Sequence, residues 1–299
     1  MSGQRVVVTG ASGLIGGALS ASLRERGDDV VHLVRRPPRT TGEVQWDPDS
    51  RNLDPQVLDG VDAVVHLAGA GVGDKRWTPS YQQTILRSRV DSTTAVAGAV
   101  AAHGDRVRLV SGAAVGIYGS DRGDEVLTET SESGHGFLAD VVRAWEAATA
   151  PAVEAGAAVA TIRTGLVMGP ESQAFAPLVK LGRFGLAGPL GSGRQWWPWI
   201  TLTDEVRAIE HLIDHPEVTG PVNLVGPDPQ RQGDVAKEIG RQLHRPAVLP
   251  APTFALRLVL GGFADDVVGS QRALPEVLTG SGFEFRHATL TAAVADLLS

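Results

Sequence analysis

A glycine-rich segment near the start of the chain has the spacing of a phosphate-binding turn. It spans Thr9–Gly16, reads TGASGLIG, and lies between an apolar run and a helical pattern. Gly10 suits a tight turn, Gly13 lets the backbone approach a pyrophosphate, and Gly16 permits close packing of helix on strand. The first N–H groups of the helix would then bind a diphosphate with help from the helix dipole. We therefore predict a dinucleotide site formed by Gly10, Ser12, Gly13, Leu14, Ile15 and Gly16; a purely structural turn is the alternative.

The end of the second predicted strand, 30–34, indicates which dinucleotide binds. An Asp or Glu at this position would bind the ribose 2′-hydroxyl, whereas an Arg accommodates a 2′-phosphate. The residues that follow the strand are Arg35 and Arg36, with no acid among them. We predict NADP(H) as the cofactor, with Arg35 as the main contact and Arg36 as a second one. Two solvated arginines are the alternative.

The elements that position these residues follow a repeating strand–helix pattern. Further strands are predicted over 63–68, 107–111 and 158–163, with helices over 79–103 and 137–155 between them. Near-continuous apolar strands separated by helices are typical of a parallel sheet covered on both faces. We predict an α/β fold, a Rossmann-like doubly wound parallel sheet with a smaller C-terminal substrate lobe.

The predicted domain organisation has one large and one small unit. Residues 1–245 form the NADP(H)-binding Rossmann domain, in which a Gly-, Pro- and Trp-rich loop at about 166–200 faces the substrate cleft. Residues 246–299 form a small helical lobe, with short helices predicted over the following segments: 254–262, 270–279 and 289–298. Such sheets bind ligands at the carboxyl ends of their strands, which the lobe would cover.

The composition excludes several other classes of site. The chain has 299 residues, a net charge of -7 and no Cys, so it has no disulfide framework or thiolate nucleophile. No basic tract suggests a nucleic-acid partner, no apolar run suggests a membrane partner, and no His spacing suggests a metal site. We expect a cytoplasmic protein with a small-molecule substrate, either a monomer or a homodimer.

Several motifs resemble one family. Thr9–Gly16 and Leu67-Ala68-Gly69 resemble the extended short-chain dehydrogenase/reductase superfamily, in its sugar-nucleotide epimerase and dehydratase branch. Across essentially the whole chain, other segments resemble a subgroup of epimerase family proteins with an uncharacterised C-terminal domain. These segments are 73–77, 88–89, 145–146, 163–165, 191–195, 199–200, 221–223, 271–275 and 282–285.

The resemblance implies further cofactor contacts. Leu67, Ala68 and Gly69 would line the cofactor cleft, and Arg89 would reach the cofactor at a phosphate. Arg163 would begin the loop beside the nicotinamide. For Arg89, a surface salt bridge is the alternative, since charged helix residues are usually solvated.

The acid–base pair of the superfamily is missing from this chain. Its members use Tyr-x-x-x-Lys on one helix, where Lys lowers the Tyr pKa so that the phenol exchanges a proton during hydride transfer. Neither Tyr81 nor Tyr118 is followed by Lys at the fourth position, and no Lys lies between Lys75 and Lys180. On the predicted helix, the positions of the pair hold roughly Leu138 and Val142.

The remaining catalytic candidates are two hydroxyl groups. The superfamily places a Ser a few residues before Tyr-Gly, but here Ala113 and Ala114 occupy the expected positions. Ser111 and Tyr118 are therefore the candidates for polarising a carbonyl group. Ser111 bonded to backbone and Tyr118 packed under a loop is an equally consistent interpretation.

A loop with three Trp and one Arg is the candidate substrate site. Arg194, Trp196 and Trp199 lie in the stretch 191–199. Indole rings stack on flat groups and Arg binds anions, which suits a nucleotide-sugar. Indoles that only close the cleft are the alternative.

These observations favour an NADP(H)-dependent oxidoreductase or epimerase-like enzyme. Its substrate would be a carbonyl compound, an alcohol or a nucleotide-sugar. Because the Tyr–Lys pair is absent, the alternative is an NADP(H)-binding redox sensor or scaffold without turnover.

Overall fold

The chain alternates strands and helices, as predicted. The computed structural model describes residues 3–299. The strands are β1 (Arg5–Thr9), β2 (Asp29–Val34), β3 (Glu43–Gln45), β4 (Ala63–His66), β5 (Arg108–Ala114), β6 (Val126–Leu127), β7 (Val159–Thr164), β8 (Leu166–Met168), β9 (Trp196–Trp197), β10 (Trp199–Thr201), β11 (Gly220–Leu224), β12 (Gln230–Arg231) and β13 (Arg272–Ala273). The helices are α1 (Leu14–Arg26), α2 (Pro79–Ala101), α3 (Phe137–Ala147), α4 (Ala150–Glu154), α5 (Ala176–Arg183), α6 (Leu202–Asp214), α7 (Gln232–Gln242), α8 (Thr253–Leu260), α9 (Ala264–Val267), α10 (Glu276–Gly280) and α11 (Leu290–Leu298).

Seven strands form one parallel sheet in the order β11-β7-β5-β4-β1-β2-β3. Its inner strands are almost fully buried, because α1 and α6 cover one face while α2, α3 and α4 cover the other. All strands end at the same edge, where the glycine turn, the 67–69 turn and the loop after β5 meet. The predicted doubly wound α/β fold is confirmed.

Some predicted elements have different boundaries or types. The helix predicted over 137–155 is divided into α3 and α4, and Pro151 lies in the first turn of α4. The prediction of a helix over 270–279 is wrong for the first half of that range. Residues 272–273 form β13, which pairs in parallel with β6, and α10 begins only after Pro275. The loop predicted at about 166–200 contains three short strands and α5.

The C-terminal residues complete the hydrophobic core rather than only covering it. Leu278 and Phe283 join the cluster between α1, α6 and the sheet. Leu290, Ala293 and Val294 of α11 join a second cluster with α5 and α7. The division at 245/246 stays a prediction. No helix within residues 3–299 is long and apolar enough to cross a membrane.

Candidate functional site

The glycine turn has the geometry that a diphosphate needs. Gly10 has a φ of 70°, and a Cβ atom there would lie 2.8 Å from the carbonyl carbon of Leu67. A Cβ atom on Gly16 would lie 2.4 Å from the Gly10 carbonyl oxygen. Helix α1 begins at Leu14, so its first N–H groups have no partner within the helix and lie at the carboxyl edge of the sheet. Ser12 and Gly13 are exposed at this edge, and Leu14 and Ile15 are half-buried.

A buried hydrogen-bond chain fixes the neighbouring 67–69 turn. The Thr9 hydroxyl accepts hydrogen bonds from the backbone N–H groups of Leu67 and Ala68, at 3.0 and 3.1 Å. It lies 2.8 Å from His66 Nδ1, and His66 Nε2 lies 3.1 Å from the Ser92 hydroxyl. Burial lowers the pKa of His66 to about 3, so the ring is neutral. The glycine turn, β4 and α2 therefore form one rigid support, which the sequence alone did not predict.

The two arginines after β2 have different surroundings. Arg36 forms a bidentate ion pair with Glu43 of β3, at 2.6 and 2.8 Å. Glu43 also accepts the backbone N–H of Arg39 at 2.7 Å, and these bonds lower its pKa to about 2. Arg35 is exposed and forms no ion pair among residues 3–299. Of the two, Arg35 has the guanidinium that is available to a ligand.

Arg89 is held at the same edge, with no carboxylate partner among the described residues. Its guanidinium donates to the Ala70 and Ile85 carbonyl oxygens at 2.8 and 3.2 Å and lies 4.9 Å from the Trp145 ring. The guanidinium carbon would be 3.4 Å from a Cβ atom on Gly69, so the group packs directly against the 67–69 turn. Burial lowers the pKa of Arg89 to about 10, and the group stays charged at neutral pH. The surface salt bridge that was the alternative for Arg89 does not occur within the described chain.

Helix α3 presents apolar side chains where the superfamily has its acid–base pair. Leu138 and Val142 lie 3.4 and 3.8 Å from the position of a Cβ atom on Gly116, in the loop after β5. One turn later, Trp145 reaches within 2.8 Å of the Cβ position of Gly112. The helix therefore offers no titratable group to this loop at either position.

The predicted catalytic hydroxyls are both inside the protein. Tyr118 is fully buried, and its hydroxyl lies 2.7 Å from Asn223 Oδ1 and 3.0 Å from the Thr128 carbonyl oxygen. Burial raises the pKa of Tyr118. Ser111 is also fully buried, with only a 3.5 Å contact to the Gly112 carbonyl oxygen. The geometry thus favours the packing interpretation for both residues.

Arg163 belongs to the same internal network. It pairs with Glu146 of α3 at 2.8 and 3.0 Å and donates to the Tyr118 hydroxyl at 3.1 Å. The sheet–helix ion pair joins β7 to α3 beneath the loop after β5. The predicted contact between Arg163 and a nicotinamide stays a prediction. In the structure, the guanidinium of Arg163 is buried in the pair with Glu146.

The predicted substrate loop divides into core and surface residues. Trp199 is 1% exposed and donates to the Asp228 carbonyl oxygen at 2.9 Å, so it belongs to the core. Trp196 is half-buried, and the guanidinium groups of Arg231 and Arg272 lie over its ring, at 4.4 and 4.7 Å from the centroid. Arg194 is exposed beside it.

Two features of this cluster were not found from the sequence. The indole N–H of Trp196 donates to Asp124 at 2.7 Å, and Arg231 bonds the same carboxylate at 2.8 Å. The Nε atom of Arg272 is buried without a hydrogen-bond partner among the described residues. Arg231 and Asp124 are distant in sequence from the loop, so no local signal marks them.

A buried carboxyl group at the end of β7 was also missed. Glu205 of α6 is fully buried, and its Oε1 accepts the Thr164 hydroxyl at 2.7 Å. Its Oε2 has no partner in the described chain, and burial raises the pKa of the group to about 8. Within residues 3–299, no cluster of three or more His, Asp or Glu side chains could hold a metal ion.

Two family models match this chain, one over the sheet and one over the C-terminal segment. Residues 6–226 match the family model described as NAD dependent epimerase/dehydratase family, and residues 251–297 match a domain of unknown function (DUF1731). An epimerase family protein of Mycobacterium tuberculosis (strain CDC 1551 / Oshkosh) is 41% identical over 286 residues, 95% of this chain and 94% of the relative. One of Staphylococcus aureus (strain N315) is 30% identical over 300 residues, 99% of each protein.

Two solved structures share the fold. The human epimerase family protein SDR39U1 (isoform 2), solved with NADPH, has a TM-score of 0.90 and 28% identity, with 99% of both chains covered. A nucleoside-diphosphate sugar epimerase from Corynebacterium glutamicum has a TM-score of 0.82 and 38% identity, covering 99% of this chain and 58% of that one. The resemblance predicted from the motifs is confirmed, and the chain belongs to the NAD dependent epimerase/dehydratase family, in the extended branch of the short-chain dehydrogenases/reductases.

Proposed function

We propose that the protein is an NADP(H)-dependent oxidoreductase or epimerase-like enzyme. The observation that carries this proposal is Arg35, which follows β2 beside the glycine turn, is exposed, and forms no ion pair within residues 3–299. A planar guanidinium suits a phosphate, and Arg36 is already engaged by Glu43. The human relative solved with NADPH supports this choice. A structure with UDP-glucose and NAD, at 24% identity and a TM-score of 0.75, supports the fold alone.

The choice of NADP(H) is tested by the affinities for NADPH and NADH. We expect NADPH to bind more tightly, and Arg35→Ala to lose about tenfold or more of that preference, since a charge-assisted pair to the 2′-phosphate is removed. Arg39→Ala, which removes an exposed charge nearby, is the control and should keep the preference. Equal affinity of the unmodified protein for both cofactors would contradict the proposal.

Arg89 is proposed to bind the nicotinamide half of the cofactor, at its phosphate. It carries a buried charge at the 67–69 turn and has no carboxylate partner in the part of the chain that the structure describes. Arg89→Met keeps an unbranched apolar side chain at this position and removes the guanidinium that lies over the Trp145 ring, and with it the charge. We expect weaker binding of NADPH, and unchanged binding of adenosine 2′,5′-bisphosphate, which lacks the nicotinamide half. Arg87→Met, on the exposed side of the same helix, is the control.

The chemistry of the site is hydride exchange, which a bound nicotinamide supplies at its C4 atom. This chain's residues bind and orient the cofactor, and α3 places Leu138 and Val142 where a proton donor is expected. On the substrate side, Arg231 and Arg272 lie over the Trp196 ring, and the exposed Arg194 is two residues before it. Cationic and aromatic groups together suit a flat anionic substrate, such as a nucleotide-sugar carrying a carbonyl or alcohol.

A second candidate function is an NADP(H)-binding redox sensor or scaffold without turnover. The observation that favours it is the apolar pair of positions on α3, together with the buried Ser111 and Tyr118. The two functions separate when the nicotinamide absorbance is followed with ketones, aldehydes and sugar nucleotides. Turnover of any of these compounds supports the enzyme. Tight NADPH binding with no turnover of any of them supports the sensor or scaffold. For either function we propose a cytoplasmic monomer or homodimer.

A further inference from the structure

One region of the surface carries an unusual number of exposed apolar side chains. Five of them are large and more than two-thirds exposed: Phe184 at 74%, Val248 at 73%, Phe254 at 75%, Leu258 at 74% and Val259 at 76%. Leu181, Leu186 and Leu249 are between 44% and 51% exposed. We call these eight side chains the apolar face. Monomeric soluble proteins rarely expose large contiguous apolar patches unless the patch binds something.

Two of the chain segments that carry the apolar face run side by side. Ala251 donates its N–H to the Pro189 carbonyl oxygen at 2.8 Å, and Gly191 donates to the Ala251 carbonyl oxygen at 2.8 Å. A Cβ atom on Gly185 would lie 3.7 Å from the Pro246 ring. Helix α8 starts two residues after this pairing, so its exposed side follows directly on the segment that carries Val248 and Leu249.

Helix α8 lies on the protein surface. None of its residues is buried. The turn that follows attaches it to the body of the protein, where the Phe263 ring lies 5.6 Å from the Trp77 ring. Phe254 and Leu258 are four residues apart and therefore lie on one side of the helix. The helix thus presents exposed apolar side chains on one side.

The apolar face has a basic border. Residues 176–186 and 244–263 contain Lys180, Arg183, Arg245 and Arg257 and no Asp or Glu, in a chain whose net charge is -7. Arg257 pairs with Asp265 at 2.9 Å. Lys180, Arg183 and Arg245 are exposed and form no ion pair within residues 3–299.

We propose that the apolar face docks on the surface of an anionic lipid bilayer. Exposed apolar side chains enter the boundary between headgroups and acyl chains, while Lys and Arg beside them bind anionic headgroups. Such attachment needs no spanning helix. A symmetric dimer through this face would bring its own unpaired cations together, which disfavours a second copy as the occupant.

The test is sedimentation of the full chain with vesicles. Vesicles of phosphatidylcholine with about one third phosphatidylglycerol should bind the protein, and pure phosphatidylcholine vesicles should bind it less. Binding should weaken at high salt, where charges are screened. The double variant Phe254→Ser with Leu258→Ser, and the double variant Lys180→Gln with Arg183→Gln, should each lose most of the binding.

Matched substitutions away from the apolar face serve as controls. Val153→Ser changes a side chain that is 55% exposed on α4, and Lys237→Gln removes a charge on α7. Both should bind vesicles like the unmodified protein, and thermal unfolding should show that all the variants are folded. Absence of binding to the anionic vesicles, or full binding by the Phe254 and Leu258 variant, would overturn the proposal. A dimer in light scattering that this variant dissociates would also overturn it, in favour of a second copy.

Discussion

At the scale of single residues, the strongest internal constraint is the ion pair between Arg163 and Glu146. Both groups are largely buried, and the pair links β7 to α3 beneath the loop that carries Tyr118. Removing one partner of a buried pair leaves the other charge without compensation. The pair therefore fixes the geometry of the loop after β5, even though α3 lacks the acid–base residues of the superfamily.

We predict that Glu146→Gln lowers the free energy of unfolding by about 3–5 kcal/mol, because it leaves the buried Arg163 charge without a carboxylate to compensate it. Glu154→Gln, on the exposed side of α4, should change it by less than about 0.5 kcal/mol. Denaturant titration of both variants checks the prediction. Similar small effects for both would mean that the ion pair contributes little, and adding Arg163→Met to Glu146→Gln should recover part of the loss.

Glu205 should make the stability of the protein depend on pH. Its pKa is raised from 4.5 to about 8 in the folded state, so the folded protein holds a proton that the unfolded chain releases above pH 4.5. The stabilisation is therefore full below the unfolded pKa and is lost as the pH rises towards the folded pKa. The contribution is a few kcal/mol at most, taken as an order of magnitude.

The matching experiment compares the unmodified protein with Glu205→Gln. The amide keeps an oxygen for the Thr164 hydroxyl but does not titrate. The variant should gain relative stability as the pH rises from about 5 to about 8, measured by thermal unfolding across that range. His66, whose pKa is lowered to about 3, has the opposite pH dependence below 6.5, but it is present in both proteins and cancels. Parallel pH profiles of the two proteins would show that Glu205 does not titrate in this range.

At the scale of elements, the junction of β1 and α1 depends on two glycines at adjacent positions with different surroundings. A Cβ atom on Gly16 would lie 2.4 Å from the Gly10 carbonyl oxygen, whereas one on Gly17 would have its nearest neighbour at 3.5 Å. We predict that Gly16→Ala displaces α1, lowers stability and weakens NADPH binding about tenfold or more. Gly17→Ala, in the helix interior, should stabilise the protein by up to about 1 kcal/mol. Cofactor titration and thermal unfolding of both variants test this, and equal behaviour would refute it.

Which elements and site residues could be predicted from the sequence depends on whether their signal is local. The glycine turn and the strand–helix alternation are local patterns, so the sheet, α1 and the carboxyl edge were predicted correctly. Contacts between distant segments have no local signal: the pairing of β13 with β6 replaced a predicted helix. Trp199 and Trp196 are neighbours in one aromatic run, yet only the surrounding fold decides that one is core and the other half-buried. The same holds for Glu205, whose burial depends on how α6 meets β7.

At the scale of the whole molecule, the predicted division into two units raises the question of whether the C-terminal segment unfolds separately from the sheet. Leu278 is fully buried and belongs to the same cluster as Leu19, Ile162 and Ile209. Glu129 accepts the backbone N–H groups of both Asn223 and Val277, at 3.0 and 3.2 Å, which ties the last strand of the sheet to α10. One shared core should give one cooperative unfolding transition.

We predict that Leu278→Ala lowers the stability of the whole protein by about 2–5 kcal/mol in a single transition, because it leaves a cavity in the main core. Leu258→Ala, at a position that is 74% exposed, should leave the transition almost unchanged. The measurement is unfolding followed by both far-ultraviolet circular dichroism and Trp fluorescence. Two separate transitions, with Leu278→Ala shifting only one of them, would instead support an independent C-terminal lobe beginning near residue 246.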